Sequence, residues 1–390
     1  MQTYDFCGKQ LPKLGFGCMR LPVNEDKSID AAQVEAMVRY ALDHGVNYFD
    51  TAYPYHNGHS ELVLGQVLSQ YPRESFYLAD KYPSYVIDES YDPAATFEEQ
   101  LKKCHVEYFD FYLLHNVSEN SIGTYTDEKW GILEYFKEQK ALGKIKHLGF
   151  SCHCSVGLLK EFLDFCDGAM EFCQIQLNYL DWTLQDGKEK YDLLTERNIP
   201  IYIMEPLRGG KLASLPERAT EKLNALRENT TPVEWAFSFL LDLPNIKMIL
   251  SGMSAFQQVT ENIEIFKNYK PLNDEETTAL LDIAETLKNS VPCTGCGYCL
   301  KDCPMELNIP FMLSIYNELR IQKAISVRMR LDGLPEEKQP TACISCGMCT
   351  QNCPQKIDVP KELENLSELL KTMPTWAQIC EERQRKMNKN

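Results

Sequence analysis

The chain has 390 residues, 44% of them apolar, enough for two domains with sizeable cores. Its formal net charge of −16 argues against nucleic acid or an acidic membrane surface as a partner, because phosphate would be repelled. No apolar run approaches the roughly 20 residues that span a bilayer. Met1–Leu11 has neither the basic nor the apolar segment of a secretory signal, so the expected compartment is the cytoplasm.

From Lys13 to about Leu250, short apolar runs alternate with longer amphipathic ones. Eight strands are expected at Leu14–Met19, Val46–Asp50, Phe76–Lys81, Phe109–His115, Ile145–Ser151, Phe172–Leu177, Ile199–Met204 and Ile246–Ser251. Helical periodicity fills the gaps at Ala31–His44, Ser60–Gln70, Ala94–Val106, Lys129–Leu142, Val156–Phe165, Lys188–Arg197 and Pro232–Leu241. Strands separated by helices pair in parallel, and eight such units in about 250 residues make a (β/α)8 TIM barrel. Residues Thr3–Leu11, turning at Gly8, predict a hairpin that closes the bottom of this barrel. The competing open sheet would carry a glycine-rich phosphate turn after its first strand, which Gly15-Phe16-Gly17-Cys18-Met19-Arg20 does not supply.

Beyond Pro271 the strand signal ends, and a helix is expected over Asp274–Asn289. The α/β barrel of residues 1–270 is thus followed by a small, mainly helical domain of residues 271–390. The basic stretch Arg383–Lys389 reads as a solvated chain end.

Sixteen cysteines are many for a reducing compartment, where clustered thiols serve as metal ligands or catalysts. Eight of them form two runs of identical spacing: Cys293, Cys296, Cys299 and Cys303 before Pro304, then Cys343, Cys346, Cys349 and Cys353 before Pro354. Three thiolates spaced by two residues fit three corners of a cubane cluster, and the cysteine before proline ligates the other cluster in two-cluster ferredoxins. Cys293, Cys296, Cys299 and Cys353 are therefore assigned to one 4Fe–4S cluster, and Cys343, Cys346, Cys349 and Cys303 to a second. Gly295, Gly297 and Gly347 allow the tight turns. Structural zinc is the alternative, but zinc sites usually show two well-separated C-x2-C pairs. A further site around Cys152, His153 and Cys154 is weighed and set aside, because isolated cysteines are commonly buried core residues. With a long helical stretch around Pro310–Met329 between the runs, this part resembles the helical type of two-cluster ferredoxin domain.

In a (β/α)8 barrel the C-terminal strand ends line the active site. Asp50, Lys81 and His115 end three successive strands, and Tyr55 follows Asp50 by five residues. A neighbouring ammonium is expected to lower the phenol's pKa, while the carboxylate holds the ammonium and the imidazole orients a carbonyl.

The segments FDTAYPYHNGHSELVLG, LADKYP, YLLHN and IKHLGFS strongly resemble the aldo-keto reductases over about Tyr4–Phe266. MEPLRGGKLA and LSGMSAFQQVTENI match the ferredoxin-tailed branch of that family. The resemblance implies that Tyr55 is the general acid/base, tuned by Lys81 and Asp50, with His115 orienting the carbonyl. It also implies NADPH or NADH as cofactor. Ser151 and Gln174 would hold the carboxamide, and Leu207, Arg208 and Gly209 would pass the pyrophosphate. Ser251, Gly252, Met253 and Ser254 would form the phosphate turn, and Asn262 would contact adenine.

Two departures bear on the cofactor. Met204 stands where many members place an aromatic residue, and Ser251–Gln258 contains no Lys or Arg, leaving Arg208 as the nearby cation. The sequence thus reads as a nicotinamide-dependent oxidoreductase acting on a small carbonyl or alcohol and carrying two 4Fe–4S clusters. The pocket rim is expected from Met19–Val23, Tyr82–Tyr91 and Asn116–Lys129. One alternative is an electron-transfer iron–sulfur protein that serves a redox protein partner and whose barrel no longer transfers hydride; another makes the clusters purely structural. Hydride carries two electrons and each cluster one, and no flavin signature is present to couple them.

Overall fold

The computed structural model describes residues 1–83, 92–119, 121–184, 186–287, 290–321, 323, 325–375 and 378. Most of the expected Tyr82–Tyr91 rim, the end of the Asp274–Asn289 helix and the basic tail lie outside them. The chain divides into two compact units. One comprises Met1–Leu207 and Leu212–Leu281; the other comprises Arg208–Lys211 and the chain from Asp282 onward.

The first unit opens with an antiparallel hairpin of β1 (Thr3–Phe6) and β2 (Lys9–Pro12). Cys7 and Gly8, both at positive φ, make its two-residue turn. Eight parallel strands then close into a barrel: β3 (Leu14–Gly17), β4 (Tyr48–Asp50), β5 (Tyr77–Tyr82), β6 (Phe109–Val117), β7 (Ile145–Cys152), β8 (Cys173–Gln176), β9 (Ile201–Met204) and β10 (Ile246–Gly252). They follow chain order, and β10 pairs with β3 to complete the ring. Every expected barrel strand is present, and Pro232–Leu241 is helical over the expected span. The helix Glu217–Leu226 was not expected: its sequence carries no apolar run, and Leu223 is its one buried residue.

Side chains alternate across each strand, so one face of every strand forms a column inside the barrel. Tyr48, Ala79, Phe111, Leu113, Phe172, Tyr202, Met248 and Leu250 join one buried cluster with Tyr4, Phe6 and Leu11 of the hairpin. Tyr4 and Tyr202 share a 2.7 Å hydroxyl hydrogen bond. The hairpin therefore plugs the N-terminal end, as expected. Two residues further along the same faces come Asp50, Lys81, His115, Gln174 and Met204. The alternation that fills the lower barrel with rings thus puts polar groups at its C-terminal mouth.

The second unit is built on an internal repeat with a constant offset of 50 residues. Gly295 and Ser345, Gly297 and Gly347, and Glu306 and Lys356 are paired positions that all adopt positive φ. Helices Ile309–Ile321 and Val359–Lys371 follow at matched positions, with Asn308 and Asp358 accepting hydrogen bonds in their first turns. The stretch between the runs folds as two helices, Ile309–Ile321 and Ile325–Asp332. Met312, Leu313, Ile315, Leu363 and Leu366 lie in the core of this unit.

Candidate active site and cysteine sites

At the barrel mouth Lys81 is fully buried. Its Nζ donates to Asp50 Oδ1 at 2.5 Å, to the Thr51 carbonyl at 2.6 Å and to Tyr55 Oη at 3.4 Å. An ammonium has three protons, so these three acceptors use them all. Tyr55 Oη accepts the third, which leaves its own hydrogen to point elsewhere. His115 meets the Tyr55 ring edge-on, with centroids 6.1 Å apart. The Tyr125 hydroxyl donates to the His115 carbonyl at 2.6 Å and fixes the end of β6. The four sequence-predicted residues therefore lie together in the folded chain.

Burial sets their electrostatics. It pushes the Tyr55 phenol well above its ordinary value, and the Asp50 charge adds to the effect. This reverses the lowering expected from Lys81, whose charge is engaged by Asp50 at closer range. Burial also raises the Asp50 carboxyl against the opposing pull of Lys81. Burial and then Lys81 hold His115 well below the ordinary imidazole range, so it is neutral at pH 7. The site presents a protonated phenol and a neutral imidazole, the states needed to donate hydrogen bonds to a carbonyl oxygen.

Gln174 is buried, and its Oε1 has no hydrogen-bond partner. Ser151 Oγ, on the neighbouring strand, accepts from the Asn116 N–H at 2.9 Å. An orphaned acceptor beside a hydroxyl fits a carboxamide. The helix Phe256–Lys267 begins without a side-chain cap, which leaves first-turn N–H groups for an anion. The Ser254 N–H is engaged by Gln258 Oε1 at 2.7 Å, and Asn262 donates to Ser251 Oγ at 3.1 Å.

Arg20 lies in the expected Met19–Val23 rim but was not read from the sequence as the cation near this turn. Ser254 Oγ donates to its carbonyl at 2.9 Å, and its side-chain carbons lie 3.5–3.7 Å from where a Cβ on Gly252 would sit. Its guanidinium pairs with Glu205 at 2.7 Å. Among the described residues Arg20 thus sets a cation beside the Ser251–Ser254 turn. Arg208, named for that place from the sequence, is buried and donates to Gln355 at 3.3 Å within the second unit. The signal available in the sequence was position: Arg20 follows the first barrel strand just past its C-terminal end.

In the second unit two pockets are lined by cysteine. Cys293, Cys296, Cys299 and Cys353 line the first. Cys303, Cys343, Cys346 and Cys349 line the second. Each run thus contributes its last cysteine to the pocket of the other. A single tetrahedral zinc would draw sulfurs to about 3.8 Å from one another, given Zn–S bonds near 2.3 Å. Among the described residues no three of these sulfurs lie within 4.8 Å of one another. The three-residue group that does converge to that spacing is Cys7, His147 and Glu171. There Glu171 is paired with Lys140 at 2.6 Å and with His147 at 3.2 Å, an ion-pair network in which an ammonium opposes a cation. Cys152 and Cys154 are buried, and Cys152 Sγ lies 4.0 Å from Cys173 Sγ.

A closed parallel barrel with these groups at its mouth, followed by a helical unit with paired cysteine pockets, defines an oxidoreductase of two parts. The chain belongs to the aldo/keto reductase family, whose family model matches residues 13–285, and residues 292–357 match the 4Fe-4S dicluster domain. The uncharacterized oxidoreductase YqkF of Bacillus subtilis is 25% identical over 69% of this chain and 92% of its own length. The NADH-specific methylglyoxal reductase of Escherichia coli is 25% identical over 63% and 85%. The L-galactose dehydrogenase of Arabidopsis thaliana is 26% identical over 72% and 93%. Among solved structures, an aldo-keto reductase from Bacillus halodurans in its holo form superposes with a TM-score of 0.58 at 24% identity, covering 73% of this chain and 96% of its own. One from Klebsiella pneumoniae in complex with NADP and acetate gives 0.59 at 19% identity, covering 70% and 92%. These structures share the barrel fold. No helix among the described residues is long and apolar enough to cross a membrane.

Proposed function

We propose that this protein reduces a small carbonyl compound, or oxidises the corresponding alcohol, with a nicotinamide cofactor, and that its C-terminal unit holds two 4Fe–4S clusters. The observation that carries the catalytic part is the spending of Lys81's three protons on Asp50, Thr51 and Tyr55. A bound nicotinamide supplies the hydride. Tyr55 gives its proton to the carbonyl oxygen, and the phenolate that forms already faces the Lys81 ammonium. His115, neutral, hydrogen-bonds the same oxygen and aligns the carbonyl. Ser151 and the orphaned Gln174 Oε1 suit the carboxamide. The turn Ser251–Ser254 and Arg20 suit the phosphates.

The exchanged fourth ligands, and the lack of zinc-like convergence of three of these sulfurs among the described residues, support cubane clusters, which would supply one-electron chemistry when bound. Protein purified anaerobically is expected to contain about eight irons and eight sulfides per chain. It is also expected to oxidise NADH or NADPH in the presence of a small aldehyde, ketone or sugar. The reductase and dehydrogenase among the relatives put these classes first in the screen. About two zincs per chain with no acid-labile sulfide would refute the cluster assignment. Absence of nicotinamide binding, with clusters that still exchange electrons with a protein partner, would refute the hydride reading.

Cofactor preference follows from the phosphate turn. With no Lys or Arg in Ser251–Gln258 and the Arg20 guanidinium already paired with Glu205 at 2.7 Å, a 2′-phosphate lacks a dedicated charge-assisted hydrogen bond worth about 1.5–3 kcal/mol. Binding titrations are expected to show a weak preference between NADPH and NADH. An NADPH preference above about a hundredfold, or ~2.8 kcal/mol, would contradict this.

A further inference from the structure

The C-terminal unit contains one segment distant in sequence, Arg208–Lys211. Gly209 stands at φ 65°, and a Cβ there would fall 2.0 Å from the Thr294 carbonyl oxygen and 2.7 Å from its carbon. Thr294 lies between Cys293 and Cys296, so the backbone of the segment is pressed onto the loop that lines the first cysteine pocket. Only glycine fits at that approach. A cation stands on either side of the Gly209–Gly210 pair. Arg208 is 1% exposed and donates to Gln355 Oε1 at 3.3 Å, two residues beyond Cys353. Lys211 Nζ hydrogen-bonds Ser290 Oγ, three residues before Cys293. The segment therefore grips both stretches of chain that bring cysteines to this pocket, and Gln355, which accepts from Arg208, itself lines it.

The second pocket is placed differently. Lys338 reaches the carbonyl of Met305, which lines it, but Lys338 is partly exposed and paired with Glu306 at 2.8 Å. Water and that carboxylate screen its charge. The 50-residue repeat makes the two cysteine sites alike in their own sequences, whereas the Arg208–Lys211 segment is applied to one of them.

We infer that Arg208 and Lys211 clamp the first cysteine site and make the cluster held by Cys293, Cys296, Cys299 and Cys353 the electron-accepting member of the pair. The inference rests on the reading that both sites hold 4Fe–4S clusters. Reduction of a cluster adds one negative charge, and a cation held out of water favours the more negative form. One electron delivered to either cluster then resides on the first, which is reduced while the second is oxidised, with no proton or further reactant needed.

The test is an anaerobic redox titration of the full-length protein with dithionite, followed by electron paramagnetic resonance. Parent, Arg208→Gln, Lys211→Met, the double variant and Arg208→Lys are compared, each with iron counted. Single-cluster Cys303→Ala protein identifies the first cluster's signal. The double variant is expected to lower the first cluster's reduction equilibrium about tenfold, or roughly 59 mV for one electron, relative to the second. Each single variant should show part of that change, and Arg208→Lys should stay close to the parent. Lys211 is the more exposed of the two, so Lys211→Met keeps the test valid if Arg208→Gln disturbs folding. Full iron content with both potentials unmoved, or moved equally, would overturn this inference alone. A parent protein lacking iron would overturn it together with the cluster assignment.

Discussion

Tyr55→Phe is expected to lower kcat by about 10²–10⁴, the usual contribution of a positioned acid or base. The change removes one oxygen and keeps the ring that meets His115, so pocket shape and nicotinamide affinity should persist. Lys81→Met should be as severe, most of all in alcohol oxidation. Burial and Asp50 already hold the phenol well above its ordinary range, and without the ammonium nothing stabilises the phenolate that must accept a proton. That variant also leaves Asp50 buried without its cation, a loss that costs on the order of 3–5 kcal/mol of stability for buried pairs. Its melting temperature should therefore be read beside its rate. His115→Gln should act mainly on substrate geometry and cost less. None of these residues lines a cysteine pocket, so iron content should match the parent. Full carbonyl-reducing activity in Tyr55→Phe would refute the proposed proton transfer.

Cys303→Ala is expected to halve the iron, from about eight to about four per chain, and the cluster lost should be the one on Cys343, Cys346 and Cys349. Cys353→Ala should do the reverse. The motivation is the lining of the two pockets, in which each run lends its last cysteine to the other. Mössbauer and electron paramagnetic resonance spectra of the two variants separate the outcomes. If Cys303→Ala instead abolished the cluster on Cys293, Cys296 and Cys299, each run would close its own cube and the exchanged arrangement would be wrong.

The barrel was readable in the sequence for a physical reason. Parallel strands covered on both faces appear as short apolar runs between helical periods, and the polar residue that breaks each run marks the mouth. Asp50, Lys81 and His115 all sit at such breaks. The direction of the Tyr55 shift was not readable, because adjacency along the chain shows neither how deeply the phenol is buried nor that Lys81 is held at 2.5 Å by Asp50. Arg20 and Glu205 are separated by 185 positions, and only closure of the ring brings them together. Arg208 shows the converse. Its neighbours in sequence end a barrel strand, yet its guanidinium is spent on a residue 147 positions away. The cysteine spacing was legible in full because cluster ligands recur at short fixed intervals, a pattern that needs no tertiary information.

The membership of Arg208–Lys211 in the second unit has a consequence for dissecting the protein. A fragment beginning at Asp282 would carry all eight cysteines of the two runs and still be incomplete. It would lack the four residues that cover Thr294, where only glycine at 209 leaves room because a Cβ would fall 2.0 Å from the Thr294 carbonyl oxygen, and open solvent would lie beside the Cys293–Cys296 loop instead. Water and oxygen would then reach a face that the intact chain keeps covered. On the proposed cluster assignment, such a fragment would take up iron and yet be the more easily bleached by air, a shelf-life difference that no inventory of its cysteines would foretell.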